Sequence, residues 1–77
     1  MTIGTKIRNQ RMKNKLSQKD LALKVGISEP SIRNYELGNR IPSRDILEKI
    51  ADALNISVFA LSDPSYDNNY SIIHSLF

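Results

Sequence analysis

The sequence predicts an all-α fold, a compact bundle of short helices, on three observations. Serines stand immediately ahead of four candidate helical segments, at Ser17, Ser28, Ser43 and Ser57. There a hydroxyl can accept from the first free backbone N–H groups of a helix. Gly26 and Gly38 follow two of those segments, where a left-handed residue ends a helix cleanly. Apolar residues recur at helical spacing, most clearly Leu47, Ile50, Ala51 and Leu54, the i, i+3, i+4, i+7 pattern of a buried stripe. No strand pair and no internal repeat is visible.

Taken in order, residues 3–14 make a thinly amphipathic first helix, with Ile3 and Ile7 one turn apart. In Leu16-Ser17-Gln18-Lys19-Asp20-Leu21, the Ser17 hydroxyl can cap the Asp20 N–H while the Asp20 carboxylate reaches back, a capping box that starts a second helix at Gln18. That helix is short, because Gly26 turns the chain. Ser28 caps a third helix with Glu29 and Pro30 in its first turn, where a missing N–H costs little and a negative charge suits the helix dipole. It is expected to run to about Glu36 and to stop at Gly38. Residues 39–42 form a loop, Ser43 caps the fourth helix, and Ser57 caps one or two turns holding Val58, Phe59 and Leu61, ended by Asp63-Pro64.

The chain has 77 residues, which fits one domain, and a domain this short buries only about 60% of the surface its unfolded chain exposes. Cysteine is absent, which excludes disulfides, thiolate metal sites and a thiol nucleophile. No apolar run reaches the roughly 18 residues of a membrane span, and the N-terminal stretch lacks the apolar core of a signal peptide. A cytoplasmic, nucleoid-associated protein is expected. No Gly-rich phosphate loop, metal-ligand cluster or catalytic constellation appears, so neither an enzyme nor a cofactor is expected. His74, the one histidine, lies near Asp63 and Asp67 in sequence, but in a tail with no predicted scaffold for a triad or metal site.

Charge is unevenly distributed. Residues 1–44 carry ten of the eleven Lys and Arg against three acids, a net of +7, whereas residues 45–77 carry Lys49 against five acids, a net of −4. A basic half favours a polyanionic partner, because neutralising phosphates releases condensed counterions.

Between Gln18 and Leu37 lie two short helices joined at Gly26. Such a unit stands its second helix proud of the body, where it can enter a DNA major groove. At about 100° per residue, Glu29, Pro30, Arg33, Asn34 and Leu37 share one face, and Ile32 and Tyr35 point away from it. The outward types suit base edges: Arg can donate to guanine O6 and N7, Asn can pair with adenine N6 and N7, and Glu can accept from cytosine N4. On most helices such residues are simply solvated; the capped bihelical setting is what favours the reading role.

Residues 16–61, together with the first helix, resemble the phage repressor and Cro-type, or XRE-like, helix-turn-helix family. The residues that carry the resemblance are Leu16-Ser17-Gln18, Leu21-Ala22, Val25-Gly26, Ser28, Ile32, Glu36 with Gly38, Pro42-Ser43 and Ile50-Ala51-Asp52-Ala53-Leu54. The resemblance implies a compact five-helix domain of the lambda-repressor-like type, with the third helix as recognition helix and binding as a dimer to an inverted repeat. Carried over by position, it implies base contact by Glu29, Pro30, Arg33 and Asn34. It implies phosphate contact by Gln18, Ser28, Asn39, Arg40 and Arg44, and a structural ion pair of Arg11 with Glu36. Helix N-termini at Gln18 and Ser28 suit phosphate on physical grounds as well. Glu29-Pro30 departs from the Gln or Thr that many members carry. Either Glu29 reads a cytosine, or it serves as a first-turn helix residue and repels wrong sites.

The function expected is a transcription regulator, a repressor, binding operator DNA as a homodimer. The alternative is a protein-interaction module, such as the antitoxin of a toxin–antitoxin pair. Domain organisation is expected as a helix-turn-helix domain over 1–63 and a tail over 64–77. The tail ends in Ile72, Ile73, Leu76 and Phe77, and three readings stay open for it: a dimer or protein-partner contact, the start of a further helix, or a segment folded back on the core.

Overall fold

A computed structural model describes residues 2–62. They form four α-helices, α1 (Ile3–Lys13), α2 (Gln18–Val25), α3 (Glu29–Leu37) and α4 (Arg44–Ala53), followed by a 3-10 turn at Val58–Leu61. No strand occurs among the described residues. The all-helical bundle foreseen from the sequence is therefore the observed fold, with its fifth element tighter than an α-helix. Ala60 N donates to the Ser57 carbonyl three residues back, which closes the shorter turn, and the Ser57 hydroxyl accepts from the Phe59 N–H. Asp63-Pro64, His74 and the apolar tail lie outside the described residues.

The capping chemistry sets each helix start. Ser17 accepts from Asp20 N at 2.9 Å and Ser17 N donates to Asp20 Oδ2 at 3.0 Å, completing the capping box. Those bonds hold the Asp20 carboxyl below its ordinary range, chiefly through the Ser17 backbone N–H. Ser28 and Ser43 accept from Ser31 N and Ile46 N, and Thr2 caps α1 through Thr5 N. Each α-helix ends in the same way, with an N–H reaching back five residues: Leu16 to Arg11, Ile27 to Ala22, Asn39 to Asn34 and Ile56 to Ala51. That closure needs a left-handed residue just before the donor. Gly26 and Gly38 supply it for α2 and α3, while Lys15 and Asn55 adopt it for α1 and α4 at φ 57° and 58°.

The core gathers one stripe from every element: Ile7 of α1, Leu21 and Ala22 of α2, Ile32 and Tyr35 of α3, Ile50 and Ala51 of α4, then Leu54 and Leu61. Ile7, Leu21, Ile32, Ile50, Leu54 and Leu61 are the largest fully buried side chains, each contributing about 1.5–3 kcal/mol by leaving water. Helix α3 packs on both α1 and α2, α2 packs on α4, and the 3-10 turn closes on α4 and α1. Lys6 of α1 donates to the Ser62 carbonyl and pins the end of that turn. The result is that α3 is seated against both α1 and α2, and α2 in turn rests on α4.

Candidate nucleic-acid interface

Helix α3 has two faces of opposite character. Ile32 and Tyr35 are buried, whereas the Arg33 and Glu29 side chains are 51% and 43% exposed, and Pro30 and Leu37 are exposed too. Asn34 is half-buried, and its carbonyl accepts from Asn39 N and Arg40 N. Its side-chain oxygen faces Asn39 Nδ2 at 3.5 Å. The loop after α3 is thus folded back against the helix end, which brings Asn39 and Arg40, both exposed, next to the outward face.

Three elements meet beneath that face. Arg11 of α1 donates from Nε to Glu36 Oε2 at 2.7 Å and from Nη2 to Glu36 Oε1 at 3.1 Å. Its Nη1 donates to the Leu16 carbonyl at 2.7 Å. Gln18, the first residue of α2, adds Nε2 to Glu36 Oε1 at 3.2 Å. One carboxylate, only 4% exposed, therefore receives donors from α1 and α2 while sitting on α3. Arg11 is 12% exposed, and its bonds to Glu36 raise its already high pKa further. A bidentate, charge-assisted pair of this kind fixes orientation as well as distance.

The sequence-predicted residues do not all share one recess. Gln18 and Arg33 border one surface recess, together with Arg8, Arg11, Glu36 and Leu37. Ser28 caps the end of α3 that carries Glu29 and Pro30. Arg44 lines a different, apolar recess with Ile3, Ile41, Pro42, Leu47, Val58, Phe59 and Ser62, and pairs with Glu48 at 3.3 Å.

Three features of the site escaped sequence reasoning. Gly4 sits where α1 crosses the C-terminal half of α3: a Cβ there would lie 2.2 Å from the Tyr35 carbonyl oxygen and 2.7 Å from that of Glu36. A glycine inside an amphipathic helix signals close backbone approach, and that was the available cue. Arg8 and the Gln18–Glu36 bond had no cue in one sequence. Among the described residues no group of His, Cys, Asp and Glu could hold a metal ion, and no helix is long and apolar enough to cross a membrane.

Two capped helices, α2 and α3, joined at a left-handed glycine, with α3 turning a polar face outward and locked to α1 by the Arg11–Glu36 pair and the close approach of Gly4, define a helix-turn-helix domain. The chain belongs to the helix-turn-helix family, phage repressor and Cro (XRE-like) type, whose family model matches residues 7–61. Among curated relatives it is 36% identical over 58 residues to Multiprotein-bridging factor 1 of Debaryomyces hansenii, covering 75% of this chain and 39% of the relative. It is 41% identical over 58 residues to the cryptic phage CTXphi transcriptional repressor RstR of Vibrio cholerae, covering 75% and 52%. The chain therefore spans only about two fifths to a half of the length of these relatives. Among solved structures it resembles the P22 c2 repressor crystallised with a synthetic operator, with a TM-score of 0.76 at 31% identity, covering 79% of this chain and 92% of that one.

Proposed function

We propose that the chain is a sequence-specific double-stranded DNA-binding transcription regulator of repressor type, inserting α3 into the major groove and engaging an inverted-repeat operator as a homodimer. The observation that carries this reading is the division of α3: Ile32 and Tyr35 are buried while Arg33 and Glu29 stay about half exposed. A helix held this way presents its outward face in one fixed arrangement before any partner is met, which lowers the ordering cost of reading base edges. In the proposed complex Glu29, Pro30, Arg33 and Asn34 meet bases. Gln18, Ser28, Asn39, Arg40 and Arg44 meet phosphates, and the Arg11–Glu36 pair sets the angle of α3. The DNA-binding domain is assigned to residues 1–63, with residues 64–77 as a separate tail.

The likeness to a repressor solved on its operator supports the assignment, and so does the +7 charge of residues 1–44. Selection of bound duplexes from a random pool, repeated across a salt series, tests it. The expected result is two symmetric half-sites about 34–36 Å apart, with affinity falling steeply as salt rises. A protein for which no duplex outcompetes bulk DNA contradicts the reading.

A further inference from the structure

Glu29 and Arg33 stand one turn apart on α3, with Arg33 Nη2 at 3.8 Å from Glu29 Oε1. Both side chains remain about half exposed, and an exposed pair at this spacing adds little to folding. Neither residue serves the core or the helix cap, which Ser28 and Ser31 complete between them. Long side chains on a helix lean toward its N-terminus, so the Arg33 guanidinium lies over the first turn, beside the Glu29 carboxylate. That is the end of a recognition helix that meets base edges. A fork of donors and a carboxylate acceptor are therefore presented together.

The edge of one base pair matches that arrangement. In the major groove a G·C pair offers two adjacent acceptors, guanine O6 and N7, followed by one donor, the free N4–H of cytosine. O6 and N4 are joined by a Watson–Crick hydrogen bond, so they lie about 2.9 Å apart. Partners for these two groups must also sit side by side, at a separation like the 3.8 Å observed. An A·T pair sets its donor, adenine N6, between two single acceptors and adds the thymine methyl. The guanidinium fork then finds only one acceptor beside the group that the carboxylate takes.

We propose that Glu29 and Arg33 act as one reader of a single G·C base pair, Arg33 donating to guanine O6 and N7 and Glu29 accepting from the N4–H of the cytosine opposite. The proposal rests on the DNA-binding reading above and assigns the unusual acid at the start of α3 a base of its own. At an A·T pair Glu29 can accept from adenine N6, but Arg33 then has a single acceptor for its fork, and where no donor lies beneath Glu29 its charge opposes binding.

The test uses the duplex selected by the wild-type chain. Each guanine in turn is replaced by 7-deazaguanine, which lacks the N7 acceptor, and each cytosine by N4-methylcytosine, whose methyl takes the place of the free N4–H. Both retain Watson–Crick pairing. Binding is measured for wild type, Arg33→Ala and Glu29→Ala, with helical content checked by circular dichroism. At one base pair both replacements weaken wild-type binding, each by about tenfold. There the 7-deazaguanine penalty vanishes in Arg33→Ala and the N4-methylcytosine penalty vanishes in Glu29→Ala. The proposal is overturned if the cancelled penalties fall on different base pairs. It is overturned equally if Glu29→Ala strengthens binding to every duplex alike and cancels no penalty. A wild-type chain that selects no duplex at all overturns the DNA-binding reading itself, a result distinct from either of these.

Discussion

Replacing Glu36 by Gln keeps the shape of the side chain and removes its charge, at the point where α1, α2 and α3 are tied together. In the native domain Oε1 accepts from Arg11 Nη2 and Gln18 Nε2, and Oε2 accepts from Arg11 Nε at 2.7 Å. An amide has one acceptor oxygen, which serves best in the Oε1 position with two donors. Its NH2 then faces Arg11 Nε, donor against donor. The variant loses one short charge-assisted bond, a contribution of about 1.5–3 kcal/mol, and leaves a guanidinium with 12% exposure short of its counter-charge. Breaking a fully buried pair costs about 3–5 kcal/mol. Arg11 keeps its bond to the Leu16 carbonyl, so we expect a loss of about 2–3 kcal/mol. A domain of this size has about 4–11 kcal/mol in hand and stays folded at low temperature, with its Tm lowered by about 10–20 °C. Thermal and urea unfolding followed by circular dichroism measure the loss. DNA affinity measured well below that Tm should fall as well, because α3 is no longer held at its angle. An Arg11→Met/Glu36→Leu double variant should recover stability without recovering affinity. A Glu36→Gln variant within about 0.5 kcal/mol of wild type, the range of an ordinary surface change, and with full DNA affinity refutes the reasoning.

Other outcomes follow from the same structure. Gly4→Ala gains about 1 kcal/mol of helix propensity but drives a methyl to 2.2 Å from a backbone oxygen. Overpacking typically costs about 1–3 kcal/mol, so the net effect in a thermal melt is destabilising. Lys15→Gly relieves a left-handed non-glycine residue at φ 57° and should raise stability by about 0.5–1 kcal/mol in urea titration. The folded Asp20 carboxyl lies below its unfolded value of 3.8, so its contribution is full above that pH and is lost as pH falls through the folded value. The difference in Tm between wild type and Asp20→Asn should therefore narrow on going from about pH 5 to about pH 2. Arg33→Ala should relax sequence preference at one base pair, whereas Arg40→Ala should weaken all duplexes alike and reduce the salt slope by about 1 in a binding titration.

What the sequence made legible was local and chemical. Ser17 with Asp20, Ser28 with Pro30, and the glycines at 26 and 38 announce helix ends through side-chain chemistry that acts within a few residues, and the observed helix starts and stops lie on them. The division of α3 was legible too, because the helical period places Ile32 and Tyr35 opposite Arg33. Two boundaries moved: α1 ends at Lys13 and α3 continues to Leu37, each shifted by one residue because the closing left-handed residue comes next or nearly next. Lys15 and Asn55 take that conformation without being glycine; asparagine is a residue type that tolerates it, whereas lysine gave no sign of it. The last element is a 3-10 turn, closed by Ala60 N on the Ser57 carbonyl, a choice that composition does not decide. What stayed hidden was contact between distant parts of the chain. The approach of Gly4 to Tyr35 and Glu36, the sharing of Glu36 by Gln18, and the placement of Arg44 beside Ile41 and Phe59 are all set by packing angles.

The central claim is that α3 stays folded against the core through Ile32 and Tyr35 while its opposite face meets DNA. Backbone amide shifts recorded as the selected duplex is titrated into the labelled chain test this directly. The largest changes are expected at Gln18, at Ser28, Glu29 and Ser31 to Asn34, and at Asn39 and Arg40, with Ile50, Ala51 and Leu54 of the far core nearly unmoved. Changes gathered around Ile41, Leu47 and Phe59 with α3 silent, or loss of the α3 signals from a helical environment on binding, would contradict it.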